Sequence, residues 1–176
     1  MKYEYKLVLR ILLLFVVIPK FLFMIFFIPT IIFPYIILKF IGYNIILDFS
    51  SQSLLINDLT LNFISACVAT SAYQLLAILI LLTKDLSFKR MLKIFIVGSL
   101  MILLVNIVRI LILSLVFINY GYESFNSLHI LLWRGAASFI VFFVWIGLVK
   151  IFKIKNIPLI SDMSYLLKYI KKKNRK

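Results

Sequence analysis

The sequence predicts an all-α polytopic membrane protein with about four transmembrane helices. Three observations carry that expectation. Of the 176 residues, 64% are hydrophobic, where a soluble domain is about 45–50% apolar. The apolar residues form runs of the ~20 residues needed to cross a bilayer. The basic residues cluster between and beyond those runs. A net charge of +14 would direct a soluble protein toward nucleic acid. Arranged as it is here, the charge fits loops facing anionic lipid instead, and nucleic-acid binding is set aside. Residues 1–176 are expected to form a single membrane domain with no separate soluble part.

The first apolar run, residues 7–41, is broken by Pro19, Pro29 and Pro34. It is too long for one straight span and too short for two spans with a turn. The reading is a surface-lying helix up to about Ile18, then one kinked span over residues 21–41. With no cleavage-site pattern behind it, this run is expected to stay in the protein. Residues 42–65 change character. Asn44-Ile45-Ile46-Leu47 is rich in strand formers, Ser50-Ser51-Gln52-Ser53 is turn-like, and Leu59-Thr60-Leu61-Asn62-Phe63 alternates. A short hairpin before the second span is expected. The remaining spans are expected at residues 66–82, 94–118 and 129–149. A basic loop at 84–93 and a short polar loop at 119–128 connect them. The tail, 150–176, is basic, and residues 160–170 have the pattern of a surface amphipathic helix.

Charge then orients the chain. The N-terminus holds three Lys and Arg, the 84–93 loop four and the tail nine, so 16 of the 20 fall there. The loops at 42–65 and 119–128 hold none, only Asp48, Asp58 and Glu123. By the positive-inside rule both termini are cytoplasmic and those two loops lie outside the cell membrane. An odd number of crossings before residue 42 follows, which favours one span there.

On that topology the unusual residues converge. Cys67 is the only cysteine and His129 the only histidine; each falls at the outer end of a span. Arg109 lies 16 residues beyond Lys93, about 24 Å up a helix in a core about 30 Å thick, hence in its outer third. A lone buried cysteine is often a small apolar side chain, and a boundary histidine often just interfacial. An arginine within a span is harder to dismiss: insertion costs about 2.5–3.5 kcal/mol, and such residues usually face the bundle interior. Arg134, Lys20 and Lys39 can snorkel to an interface. One cysteine excludes an internal disulfide, a CxxC redox pair and a multi-thiolate metal site, and no metal or cofactor is expected. A thiolate, an imidazole to exchange protons with it and a forked cation to hold an oxyanion together suit acyl transfer through a thioester.

Ala66-Cys67-Val68-Ala69-Thr70-Ser71-Ala72-Tyr73, then Asn106-Ile107-Val108-Arg109-Ile110, then His129 resemble the exosortase/archaeosortase family over residues 42–149. The resemblance implies a Cys–Arg–His triad at the outer membrane face, with Cys67 as nucleophile, Arg109 as transition-state stabiliser and His129 as acid/base. It also implies the substrates: exported proteins whose C-terminal sorting signal, a hydrophobic span with a basic end, is cleaved and the protein passed to a membrane anchor. Many members carry glycine where this chain has Ala69, and a glycine nearer the histidine than Gly135 is to His129. The chain is shorter than the eight-helix forms and resembles the compact archaeal type. The rival expectation is a non-enzymatic channel or assembly subunit with a structural arginine. No acidic residue within the spans would pair with it.

Overall fold

The computed structural model describes residues 18–56, 59–64, 66–83, 86–132, 135 and 137–154. It is mostly helical. Helix α1, Ile18–Ile41, is one continuous helix through Pro29 and Pro34. Proline removes a main-chain N–H and usually breaks a helix; here the helix continues past both prolines. Ile31 and Leu38, two turns apart and fully buried, point inward, while Met24, Ile28, Phe33, Ile36 and Phe40 are exposed. The helix ends where Gly42 takes φ 106°. Gly42 N–H then donates to Lys39 at 3.1 Å and Tyr43 N–H to Leu38 at 3.2 Å, the paired bonds of a Schellman cap. The surface helix expected before Ile18 lies outside the described residues, as does most of the tail.

The segment that follows is a three-stranded antiparallel sheet in the order β1 (Ile45–Asp48), β2 (Ser53–Ile56), β3 (Leu59–Asn62). The expected hairpin is therefore a meander. The two stretches read as strands do not pair with each other, because Leu54-Leu55-Ile56 forms a strand between them. Asp48 shapes the first turn. Its Oδ1 accepts from Ser50 N–H at 2.8 Å and Ser50 Oγ at 2.6 Å, and its Oδ2 from Ser51 Oγ at 2.7 Å. Those donors pull the carboxyl down to a pKa of about 2. Leu54 and Ile56 pack with Ile31 and Leu38 of α1, Phe63, and Ile110 of the long helix below.

Helix α2, Thr70–Leu82, starts four residues later than the expected span, and a tight turn occupies residues 66–69. Helix α3, Phe88–Leu131, is longer than expected at both ends. Its first turns carry Lys89, Arg90 and Lys93, assigned from sequence to a loop. At the far end the helix breaks only at Gly121, with φ 78° and ψ −175°. Residues 122–131 then coil again, so the loop expected at 119–128 is a short helical leg. His129 belongs to that leg and not to the start of the last helix. Phe125 holds the leg in place, its ring 5.1 Å from that of Phe117 before the break. Helix α4, Ala137–Ile151, follows.

Two helical stretches, residues 19–41 and 88–131, are long and apolar enough to cross a membrane, while α2 and α4 are shorter apolar helices. On α3 every fourth residue from Leu92 through Ile96, Leu100, Leu104 and Val108 to Ile112 is exposed and apolar. The opposite face buries Ile94, Gly98, Ile102, Asn106, Arg109, Leu113 and Phe117. Gly98 allows a close approach, since an added Cβ there would lie 2.7 Å from both Leu76 of α2 and Leu148 of α4. Around it Tyr73, Leu76, Ile94, Ile102, Trp145 and Leu148 form the main apolar core. Arg90 donates to the Phe152 carbonyl, tying the start of α3 to the end of α4.

Candidate functional site

The site is assembled on the turn between β3 and α2. Cys67 N–H donates to the Ile64 carbonyl at 2.9 Å, and Ala69 N–H to Ala66 at 3.3 Å, winding the chain tightly before α2 begins. Val68 is fully buried and anchors the turn, while Cys67 is half-buried. Ala69 closes it at φ 58°, ψ 35°, a left-handed conformation that costs a residue with a Cβ about 1–2 kcal/mol. Glycine would adopt that geometry freely.

Helix α3 grips the turn from below. Asn106 and Arg109, three residues apart on one face and both buried, reach the main chain beside the cysteine. Asn106 Nδ2 donates to the Cys67 carbonyl at 2.8 Å. Arg109 Nη2 donates to the Ala66 carbonyl at 3.0 Å and to that of Cys67 at 3.3 Å. No carboxylate among the described residues pairs with Arg109. Its charge is met by carbonyl dipoles, and its Nε is buried without a partner.

Cys67, Arg109 and His129 line one cavity of about 40 Å³, room for two or three waters. They reach it from three places: the turn before α2, the middle of α3 and the leg beyond Gly121. Cys67 Sγ donates to the Asn62 carbonyl at 3.9 Å and makes no hydrogen bond to His129, though both side chains line the cavity. His129 is half-buried, its ring stacked on Phe125 with centroids 5.6 Å apart. Ser114 lines the same cavity, fully buried, and its hydroxyl has no partner. Arg134 lies outside the described residues.

Three contributors went unassigned in the sequence reading. Asn106 was quoted only as part of a motif, although a polar residue three before a buried arginine on an apolar helix is a recognisable signal. Ser114 gives a fainter one, since a serine within an apolar helix is common. Phe125 gives none, because its position depends on the break at Gly121.

No known protein family, characterised protein or solved structure matches this chain.

Proposed function

We propose that the protein is a membrane-embedded cysteine transpeptidase. In this reading it crosses the cell membrane four times, with both termini cytoplasmic and Cys67 on the extracytoplasmic side. The observation that carries the reading is the shared cavity: the only cysteine, a buried arginine and the only histidine line it from three separate segments. The resemblance to exosortases and archaeosortases adds the substrate class. The exposed apolar stripe from Leu92 to Ile112 suits lipid contact, since soluble monomers rarely expose so large a patch. At 13 residues, α2 spans only about 20 Å. A crossing there puts the Cys67 turn within the outer part of the bilayer.

The chemistry is acyl transfer. His129 takes the proton of the Cys67 thiol, and Sγ attacks the scissile carbonyl carbon. The C–S bond forms as the carbonyl π electrons move to oxygen. Arg109 braces the turn through Ala66 and Cys67, and its free Nε faces the need for an oxyanion donor in a dry site. His129 returns the proton to the leaving amine as the C–N bond breaks, leaving a thioester. His129 then takes the proton of an acceptor amine or hydroxyl from the membrane anchor as it attacks the thioester carbonyl, the C–S bond breaks, and the proton passes to the departing thiolate.

A second reading has a specific observation behind it. Arg109 hydrogen-bonds main-chain carbonyls, as an arginine with a purely structural role would in a non-enzymatic channel or assembly subunit. Co-expression with an exported protein bearing a hydrophobic, basic-ended C-terminal tail separates the two. Loss of the tail with wild-type protein, and its retention with Cys67→Ala, supports the enzyme. Equal retention or equal loss with both proteins supports the structural role.

A further inference from the structure

Strand β3 ends beside Cys67, and among the described residues no strand pairs with its outer edge. In an antiparallel ladder, facing residues alternate between pairs that exchange both main-chain hydrogen bonds and pairs that exchange none. The pair Ser53–Asn62 is of the second kind, because Phe63 N–H reaches past it to the Gln52 carbonyl at 2.9 Å. Asn62 and, two residues earlier, Thr60 therefore turn their N–H and C=O groups away from β2. Both residues are exposed. Cys67 Sγ donates to the outward Asn62 carbonyl at 3.9 Å. Leu61, Asn62 and Phe63 also line the cavity that holds Cys67, Arg109 and His129, so the edge leads into it. The opposite edge of the sheet differs: Ile45 on β1 is buried in the cluster formed with α1.

We propose that β3 is the substrate-docking edge. The substrate binds as an extended peptide segment that adds a fourth strand beside Thr60 and Asn62, with its scissile carbonyl over Cys67. This inference rests on the reading of Cys67 as the acyl acceptor. Outward peptide groups two residues apart repeat at about 7 Å, the spacing at which an extended chain presents its own. Pairing through main-chain groups supplies affinity, while side-chain pockets supply selectivity. A cavity of about 40 Å³ admits a carbonyl and little more, which suits a thin strand and excludes a helix. In the low-dielectric surroundings of the outer bilayer each such hydrogen bond also counts for more than in water.

The test measures alkylation of Cys67 in the full-length protein in detergent, by mass spectrometry. The probes are a pool of N-acetyl tetrapeptide chloromethyl ketones, the same pool N-methylated on alternate amides, and iodoacetamide. The unmodified pool is expected to label wild type about tenfold faster than the N-methylated pool, the loss expected for one or two net hydrogen bonds. Thr60→Pro deletes one outward N–H and leaves the inward bonds of β3 intact, as edge-strand prolines do. It is expected to erase the advantage, while Thr60→Val keeps it and iodoacetamide labels all three proteins equally. Equal labelling of wild type by the two pools overturns the proposal. So does a Thr60→Pro protein that keeps the advantage with normal iodoacetamide reactivity. Should Thr60→Pro alter iodoacetamide reactivity, the two pools on wild type decide alone. Failure of the catalytic reading looks different: tail cleavage would persist in Cys67→Ala.

Discussion

The two halves of α3 are built to different ends. In residues 94–103 the inward face is closed by contact: Gly98 lets Leu76 and Leu148 approach within van der Waals distance, and Ile94 and Ile102 fill the space beside it. In residues 106–114 polar groups interrupt an inward face that also buries Ile107, Ile110 and Leu113, whereas residues 94–103 bury a single polar side chain, Ser99, whose hydroxyl is likewise unpartnered. Asn106 and Arg109 are committed to carbonyls of the Cys67 turn, Arg109 Nε and Ser114 Oγ are left unpartnered, and cavities lie on both sides of Arg109. One helix thus supplies a packed base and, two turns further on, a loosely filled site. Close packing resists change of volume, while unpartnered buried donors are costly unless something arrives to use them. The difference teaches that stability and activity should separate along α3.

The largest effect is expected at the open half. Both carbonyl bonds of Arg109 come from Nη2, which a lysine amine could replace, but lysine has no second donor in the place of the unpartnered Nε. Arg109→Lys should slow tail cleavage about 10²–10³-fold, the usual loss of an oxyanion donor, when rates are normalised to protein in the membrane. Asn106→Ala should slow it less, about tenfold, by freeing one carbonyl of the turn. A fully active Arg109→Lys protein would reduce the open half to architecture and break the comparison.

At the closed half the loss falls on stability and not on cleavage. Gly98→Val should lower stability by about 1–3 kcal/mol through overpacking against Leu76 and Leu148, visible as a lower Tm in detergent. Cleavage per folded molecule should stay within about twofold of wild type. A normal Tm with impaired cleavage would show that the two halves are coupled.

The smallest effect tests the turn itself. Ala69→Gly relieves a left-handed Cβ and gives up some chain entropy, so a net gain of about 0.5–1 kcal/mol is expected, read as a slightly raised Tm with unchanged cleavage. A lowered Tm would contradict the strain assigned to Ala69.

Much of this frame is legible in the sequence, because long apolar runs and charge clusters are coarse signals. Helix α1 falls where its run predicts, and β1 and β3 fall on the stretches rich in strand formers. Strand β2 was not legible: Leu54-Leu55-Ile56 has no alternation, being buried almost throughout. Residues 119–128 contain Gly121 and several polar side chains and so read as a loop. Their helix depends on Phe125 packing against Phe117, a contact no local pattern announces. At the site, the types of Cys67, Arg109 and His129 were conspicuous by rarity. The hydrogen bonds of Arg109 to the turn were not, since they depend on where a main chain outside α3 comes to rest.

The central claim is that Cys67 carries the acyl group. Trapping decides it most directly. Wild-type protein co-expressed with a tailed substrate is quenched in acid, and the peptide containing Cys67 is analysed by mass spectrometry with and without neutral hydroxylamine. The expected result is a substrate fragment joined to Cys67 through a hydroxylamine-labile thioester, lost in His129→Ala, which lacks the base that forms it. A substrate whose tail is removed at the wild-type rate by Cys67→Ala, with no adduct on Cys67 in wild type, would contradict the account.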